Sequence, residues 1–301
     1  MSEVLGEKWL QSYVFLAFRL DTVIRRLYDW PFVTDYYGPP EWKEAVASEQ
    51  GTASGELIQQ AQTLLDTLSS QRFTPQRTQK LEKYLGMMET IGLKLCGVTF
   101  SLQEEMQRCW DVAVKWTSET EFEQALAIYE SILPGSGPLP ERLSAYEQQC
   151  ALPDSQRHLL VNIVERALAE TRKRTLALIP LPEEEQVTLQ WFTERDALAY
   201  AGYIGNYHSL IAIDPDSLAF NLPRLLDHFI CHEIYPGHHT DTVLHELKLY
   251  RDQGSIETSL LILANKQKHS STKAAVLRWY TCFRCAILLL DNDLAVNSKR
   301  A

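Results

Sequence analysis

Apolar residues recur at helical spacing through the first half of this chain and then stop doing so, and that change of period limits the folds open to it. Over residues 8–28, Leu10, Tyr13, Val14, Leu16, Ala17, Leu20, Val23, Ile24 and Leu27 return every three or four positions. Such spacing lines them along one face of an α-helix. Pro31 sets its end, since proline has no N–H to donate and clashes with the preceding turn. Residues 29–42, "DWPFVTDYYGPPEW", are too rich in Pro, Gly and aromatic rings to continue a helix and read as an ordered loop packed by its own rings. Helical patterns resume at 54–68, 75–95 and 102–116, break at "LPGSGPLP" (133–140), and return at 143–149 and 155–177, where Asp154 or Ser155 can cap. The period then shortens. "VTLQWFT" (187–193) and "AGYIGNYHSLIAID" (201–214) are rich in β-branched and aromatic residues with partial alternation, which predicts a small sheet. Asn221 can cap a further helix with Pro223 in its first turn. The expectation is a mainly α fold with a small sheet beside that last helix.

At 301 residues with no linker-like stretch, one large domain or two closely packed lobes are both open. A formal charge of −10 and a pI near 5.3 disfavour a nucleic-acid partner, because phosphate binding needs a concentrated basic surface. Glu3, Glu7 and Lys8 precede any long apolar run, so neither a signal peptide nor a membrane span is expected, and the cytoplasm is the expected location. Six cysteines spread over the chain read as reduced thiols rather than a disulfide framework. Cys282 and Cys285 form one C-x-x-C pair with no strand before it, which is weak grounds for redox or metal chemistry.

The helix after Asn221 carries "CHEIYPGHHT", residues 231–240: three histidines and a glutamate in ten positions, interrupted by Pro-Gly. In an ordinary zinc-peptidase helix, H-E-x-x-H places two imidazoles one turn apart on one face, with the glutamate as base towards zinc-bound water. Here the fifth position is Pro236, and the next histidines are His238 and His239, six and seven residues after His232. On a straight helix neither meets His232, because i+7 lies about 10.5 Å along the axis and i+6 points away. Pro236 denies an N–H to the carbonyl of His232, and Gly237 tolerates conformations closed to other residues. The helix must therefore kink or bulge, and a bulge that absorbs the surplus residues brings His238 to the second histidine's place. A zinc site needs a third protein ligand, most often a carboxylate from a following helix.

These residues resemble a large bacterial family of uncharacterised zinc-dependent hydrolases, known as domain of unknown function 885, whose mark is H-E-x-x-P-G-H-H. The likeness extends in order through "FVTDYYGPPEW" (32–42), "LPGSGPLPERL" (133–143), "YIGNYHSLIAID" (203–214) and "LLDHFICHEIYPGHHTD" (225–241), and covers roughly residues 8 to 265. The resemblance implies a helical, gluzincin-like peptidase fold with a small sheet next to the motif helix. It implies Zn2+ held by His232 and His238, Glu233 as general base, and His239 beside them or as the alternative ligand. It also implies a peptide or small amide substrate lying along an edge strand, where Tyr207 or His208 could stabilise an oxyanion.

Relatives of that family continue after a stretch like "IETSLLILAN" (256–265) into S-E-G-x-A, whose glutamate is the expected third ligand. This chain instead continues from Lys266 into a segment with no glutamate, in which seven Lys/Arg stand against two Asp, a net +5 in a protein of −10. The expected organisation is thus a metallopeptidase-like domain over 1–265, incomplete at its C-terminal side, and a divergent basic tail over 266–301. Glu257, at the head of the next apolar helix, is the candidate substitute ligand, whereas Glu246 reads as a solvated face residue. Two functions follow: a zinc metallohydrolase, or a catalytically impaired relative that lacks its third ligand and serves as a scaffold or binding protein.

Overall fold

The computed structural model describes residues 2–29, 31–191, 199–213 and 225–262. It is mainly α-helical with two small sheets. Its described residues fall into two compact units. The first combines everything up to Trp116 with the segment from Leu249 onward, and the second is Thr117–Lys248.

The first unit is built around α1 (Ser2–Tyr28), which buries Trp9, Leu10, Tyr13, Val14, Leu16, Ala17, Leu20 and Val23. Against them stand Leu57, Ala61, Leu64 and Leu68 of α3 (Ser54–Leu68) and Leu81, Leu85, Met88 and Ile91 of α4 (Pro75–Leu95). Gly92 lets α3 and α4 approach closely: a Cβ there would stand 3.0 Å from Ile58 Cγ1. The helix expected over 102–116 stops at Trp110 as α5 (Leu102–Trp110). Ser101 and Glu104 close a capping box at its start, and Asp111 ends it in the left-handed region at φ 56°, its carboxylate held by Lys83 and Gln107.

The segment expected as a loop over 29–42 instead contains β1 (Val33–Tyr36) and the start of α2 (Pro40–Ala47). The partner of β1 is β5 (Leu260–Ile262), antiparallel, with Val33 opposite Ile262 and Tyr36 opposite Leu260. The apolar helix expected after Glu257 is therefore a short 3-10 turn, Ile256–Ser259, that runs into a strand. Asp21 of α1 ties the ribbon down by accepting the N–H groups of Phe32 and Val33.

The second unit contains α6 (Glu119–Ile132), α7 (Leu139–Gln149), a 3-10 turn at Asp154–Leu159 and α8 (Leu160–Leu176). A three-stranded sheet follows in the order β2 (Gln186–Trp191), β4 (His208–Ile213), β3 (Ala199–Gly205), with β2 parallel and β3 antiparallel to β4. Within the expected small sheet, β3 and β4 form a hairpin. Asn206 and Tyr207 turn it with φ of 54° and 60°, the pair of left-handed residues that a tight two-residue hairpin loop requires. On β4, Ser209, Ile211 and Ile213 face inward, while His208, Leu210 and Ala212 face the other way. The inward face packs with Leu160 and Val164 of α8 and with Leu225, Phe229, Ile230 and Ile234 of the motif helix (Leu225–Ile234). The expected cap Asn221 and first-turn Pro223 lie outside the described residues, as does the tail from residue 263. Among the described residues, no helix is long and apolar enough to cross a membrane.

Candidate metal centre

The expected distortion of the motif helix is present. Leu225–Ile234 is wound as a π-helix, and the N–H of Tyr235 reaches back five residues to the carbonyl of Ile230 at 3.0 Å. The chain leaves helical geometry over Tyr235, Pro236 and Gly237, with a cis Tyr235–Pro236 bond, and restarts at His238 as α9 (His238–His245). Gly237 lies directly on the end of the preceding helix: a Cβ there would stand 1.8 Å from the carbonyl oxygen of His232. Only glycine fits, because the obstacle is backbone rather than a movable side chain. This fold-back brings the rings of His232 and His238 to 4.7 Å, edge to face.

Glu233 completes the group. Ligand atoms of His232, Glu233 and His238 all lie within 4.8 Å of one another, and Glu233 Oε1 is 3.7 Å from His232 Nε2. The side chains of His232 and Glu233 are 24% and 31% exposed, open to water yet not fully solvated. Two imidazoles and a carboxylate are the donor set zinc favours, and two ligands of one zinc ion can stand no more than about 4.4 Å apart. The two histidines, with Glu233 beside them, could therefore hold such an ion. No other such group of three occurs among the described residues.

His239 follows His238 but has the opposite environment. It is 2% exposed, with Nδ1 2.7 Å from Ser209 Oγ and Nε2 2.7 Å from Glu185 Oε1. With both ring nitrogens occupied, it is not placed to be the alternative ligand. The same oxygen of Glu185 accepts the Tyr235 hydroxyl, and Arg172 of α8 donates to Oε2 at 2.9 Å. Burial pushes the Glu185 carboxyl up, but the hydrogen bonds from His239, Tyr235 and Arg172 outweigh it and hold the group below its ordinary value. Tyr235 moves the other way: burial first, then the Glu185 charge, raises its phenol well above the ordinary value. As an ionised carboxylate can only accept, Nε2 of His239 carries the proton and Nδ1 can accept from Ser209.

The other candidates go elsewhere. His208 lies on the face of β4 opposite Ser209, its ring bonded to Gln186 and Thr188 of β2. Tyr207 sits in the hairpin turn, where its N–H donates to Glu246 at 3.2 Å. Glu246 is not a solvated face residue. It is 1% exposed and also accepts the Tyr203 hydroxyl and the Asn206 N–H, so it pins the hairpin. Glu257 belongs to the first unit, and both its oxygens are taken by Arg77, at 2.7 and 2.6 Å. Glu257 is thus committed to an ion pair within the first unit.

Sequence reasoning missed Glu185, Arg172, Tyr235 and Ser209. A faint signal exists for Glu185: it is the third of three successive glutamates and shares the inward parity of Val187, Leu189 and Trp191. Comparison with known proteins returns nothing: no family model, curated protein or solved structure matches the chain.

Proposed function

We propose that this protein is a zinc-dependent metallohydrolase, a peptidase or amidase, with His232 and His238 as metal ligands and Glu233 as general base. The observation that carries this reading is the fold-back at Gly237, which sets His238 against His232 and Glu233 although the two histidines stand six positions apart. The resemblance of H-E-x-x-P-G-H-H to a family of zinc hydrolases supports the same reading. A zinc ion held there would supply Lewis acidity and lower the pKa of a coordinated water to roughly 7. His232 and His238 would hold that ion, and the partly exposed Glu233 would take a proton from the attacking water and return it to the leaving amine. Cytoplasmic residence belongs to this reading, supported by Cys96, Cys109 and Cys150, each present as a thiol.

One observation favours the second reading, a catalytically impaired scaffold: the buried carboxylates Glu185, Glu246 and Glu257 are each committed to other partners. A screen of zinc-loaded protein against a peptide library separates the two. The hydrolase reading expects cleavage that falls by about a hundredfold or more in Glu233→Gln, whereas cleavage unchanged by that substitution, or absent throughout, favours the scaffold.

A further inference from the structure

The Pro236–Gly237 turn leaves a mechanical question open: what keeps His238 against His232 once the helix has broken. Pro236 has no N–H to give, and across the break the Thr240 hydroxyl donates to the carbonyl of Ile234 at 3.2 Å. The residues flanking the turn, Tyr235 and His239, converge on one atom. Tyr235 donates its hydroxyl to Glu185 Oε1, and His239 Nε2 stands 2.7 Å from the same oxygen, with the two rings 5.2 Å apart, edge to face. Arg172 holds Glu185 from α8, and Ser209 holds His239 from β4.

We propose that Glu185 is a positioning residue for the metal centre: one carboxylate oxygen closes the five-residue span from Tyr235 to His239 and so fixes where the imidazole of His238 stands. The hydrogen bonds of Glu185 go to Tyr235, His239 and Arg172, so it acts on the cluster through Tyr235 and His239. The inference rests on the metallohydrolase reading for its purpose, and on the geometry of the turn for its substance. Its anchors come from three directions, α8, the start of β2 and β4, so the clamp refers the turn to the body of the second unit. A carboxylate suits the task because it accepts several hydrogen bonds at once and donates none that would compete.

The test has two readouts on the full chain: Co2+ affinity by titration, and the nuclear Overhauser effect between the His232 and His238 rings in histidine-labelled, metal-free protein. The variants are Glu185→Ala and the conservative Glu185→Gln, with Glu246→Gln as a control that removes a buried carboxylate away from the turn. The expected result for Glu185→Ala is a Co2+ affinity at least tenfold weaker and no Overhauser effect between the two rings. Glu185→Gln recovers part of both, and Glu246→Gln keeps both. If Glu185→Ala does not fold, the comparison of Glu185→Gln with Glu246→Gln decides, with a selective weakening in Glu185→Gln supporting the clamp. An Overhauser effect of wild-type strength in the Glu185 variants overturns it. If Co2+ binds wild type and His232→Ala alike, the metal reading fails on its own, and the Overhauser effect in metal-free protein still decides the clamp.

Discussion

The two units of this protein reach order by different means. In the first, helices α1, α3 and α4 bury a nearly unbroken set of Leu, Val, Trp, Tyr and Met side chains, and its one buried carboxylate among the described residues, Glu257, is neutralised by Arg77. In the second, the apolar cluster of the described residues is smaller, and the space around the motif turn is filled by Glu185, Ser209, His239, Thr240 and Thr242. A dry core specifies volume and tolerates changes that keep it. A buried polar network specifies partners one by one, since each unsatisfied group costs about 1–3 kcal/mol. The second arrangement is the one that can hold a distorted helix in a single geometry, and the candidate metal ligands lie on it.

The contrast breaks most sharply at Gly237. Gly237→Ala drives a Cβ into the His232 carbonyl and should destabilise the second unit by about 4 kcal/mol or more, with loss of metal binding; denaturant unfolding and a metal titration check it. In the first unit, Leu85→Ala should cost about 3 kcal/mol through the cavity it leaves, and metal affinity should stay as it was. A metal affinity that falls with Leu85→Ala would mean the two regions are not separable in this way. Glu246→Gln should cost about 1–2 kcal/mol, since an amide cannot accept from Tyr203, Asn206 and Tyr207 as well as a carboxylate does.

Acid should act on the clamp as well. The Glu185 carboxyl is held below its ordinary value near 4.5, so the stability it contributes is fully present above that pH. That contribution is lost as pH falls through the lower value of the folded state, and Glu185→Gln should flatten this acid limb in a pH series of unfolding curves. The smallest effect is in thiol chemistry. Burial, with Glu105 nearby, pushes the Cys109 thiol of the first unit up to about 11, so it should alkylate at about pH 8 far more slowly than exposed Cys96. Equal labelling rates, read by mass spectrometry, would show that α5 does not shelter it.

What was legible in the sequence follows the same division. Helices α3 and α4 could be bounded from their spacing, because a stripe of Leu every three or four residues is a local signal. β1 could not, since its partner β5 lies more than two hundred residues away and four residues of "VTDY" carry no pattern of their own. In the motif, Pro236 and Gly237 announced that the helix must break, and with it the pairing of His232 with His238. The separate fates of His238 and His239 were not legible. They depend on Glu185 and Ser209, which reach His239 from the edge of β2 and from the inner face of β4. Glu246 was misread as exposed for the same reason, as its partners belong to a hairpin some forty residues earlier.

The proposal most open to direct test is that His232 and His238, held together by the fold-back at Gly237, bind a divalent metal while the adjacent His239 does not. Equilibrium dialysis against zinc, with metal content read by plasma mass spectrometry, tests it on wild type, His232→Ala, His238→Ala and His239→Gln. The expected result is close to one zinc per chain in wild type, little in either of the first two variants, and substantial retention in His239→Gln. Zinc that survives removal of both His232 and His238, or a wild-type protein that takes up none, would contradict it.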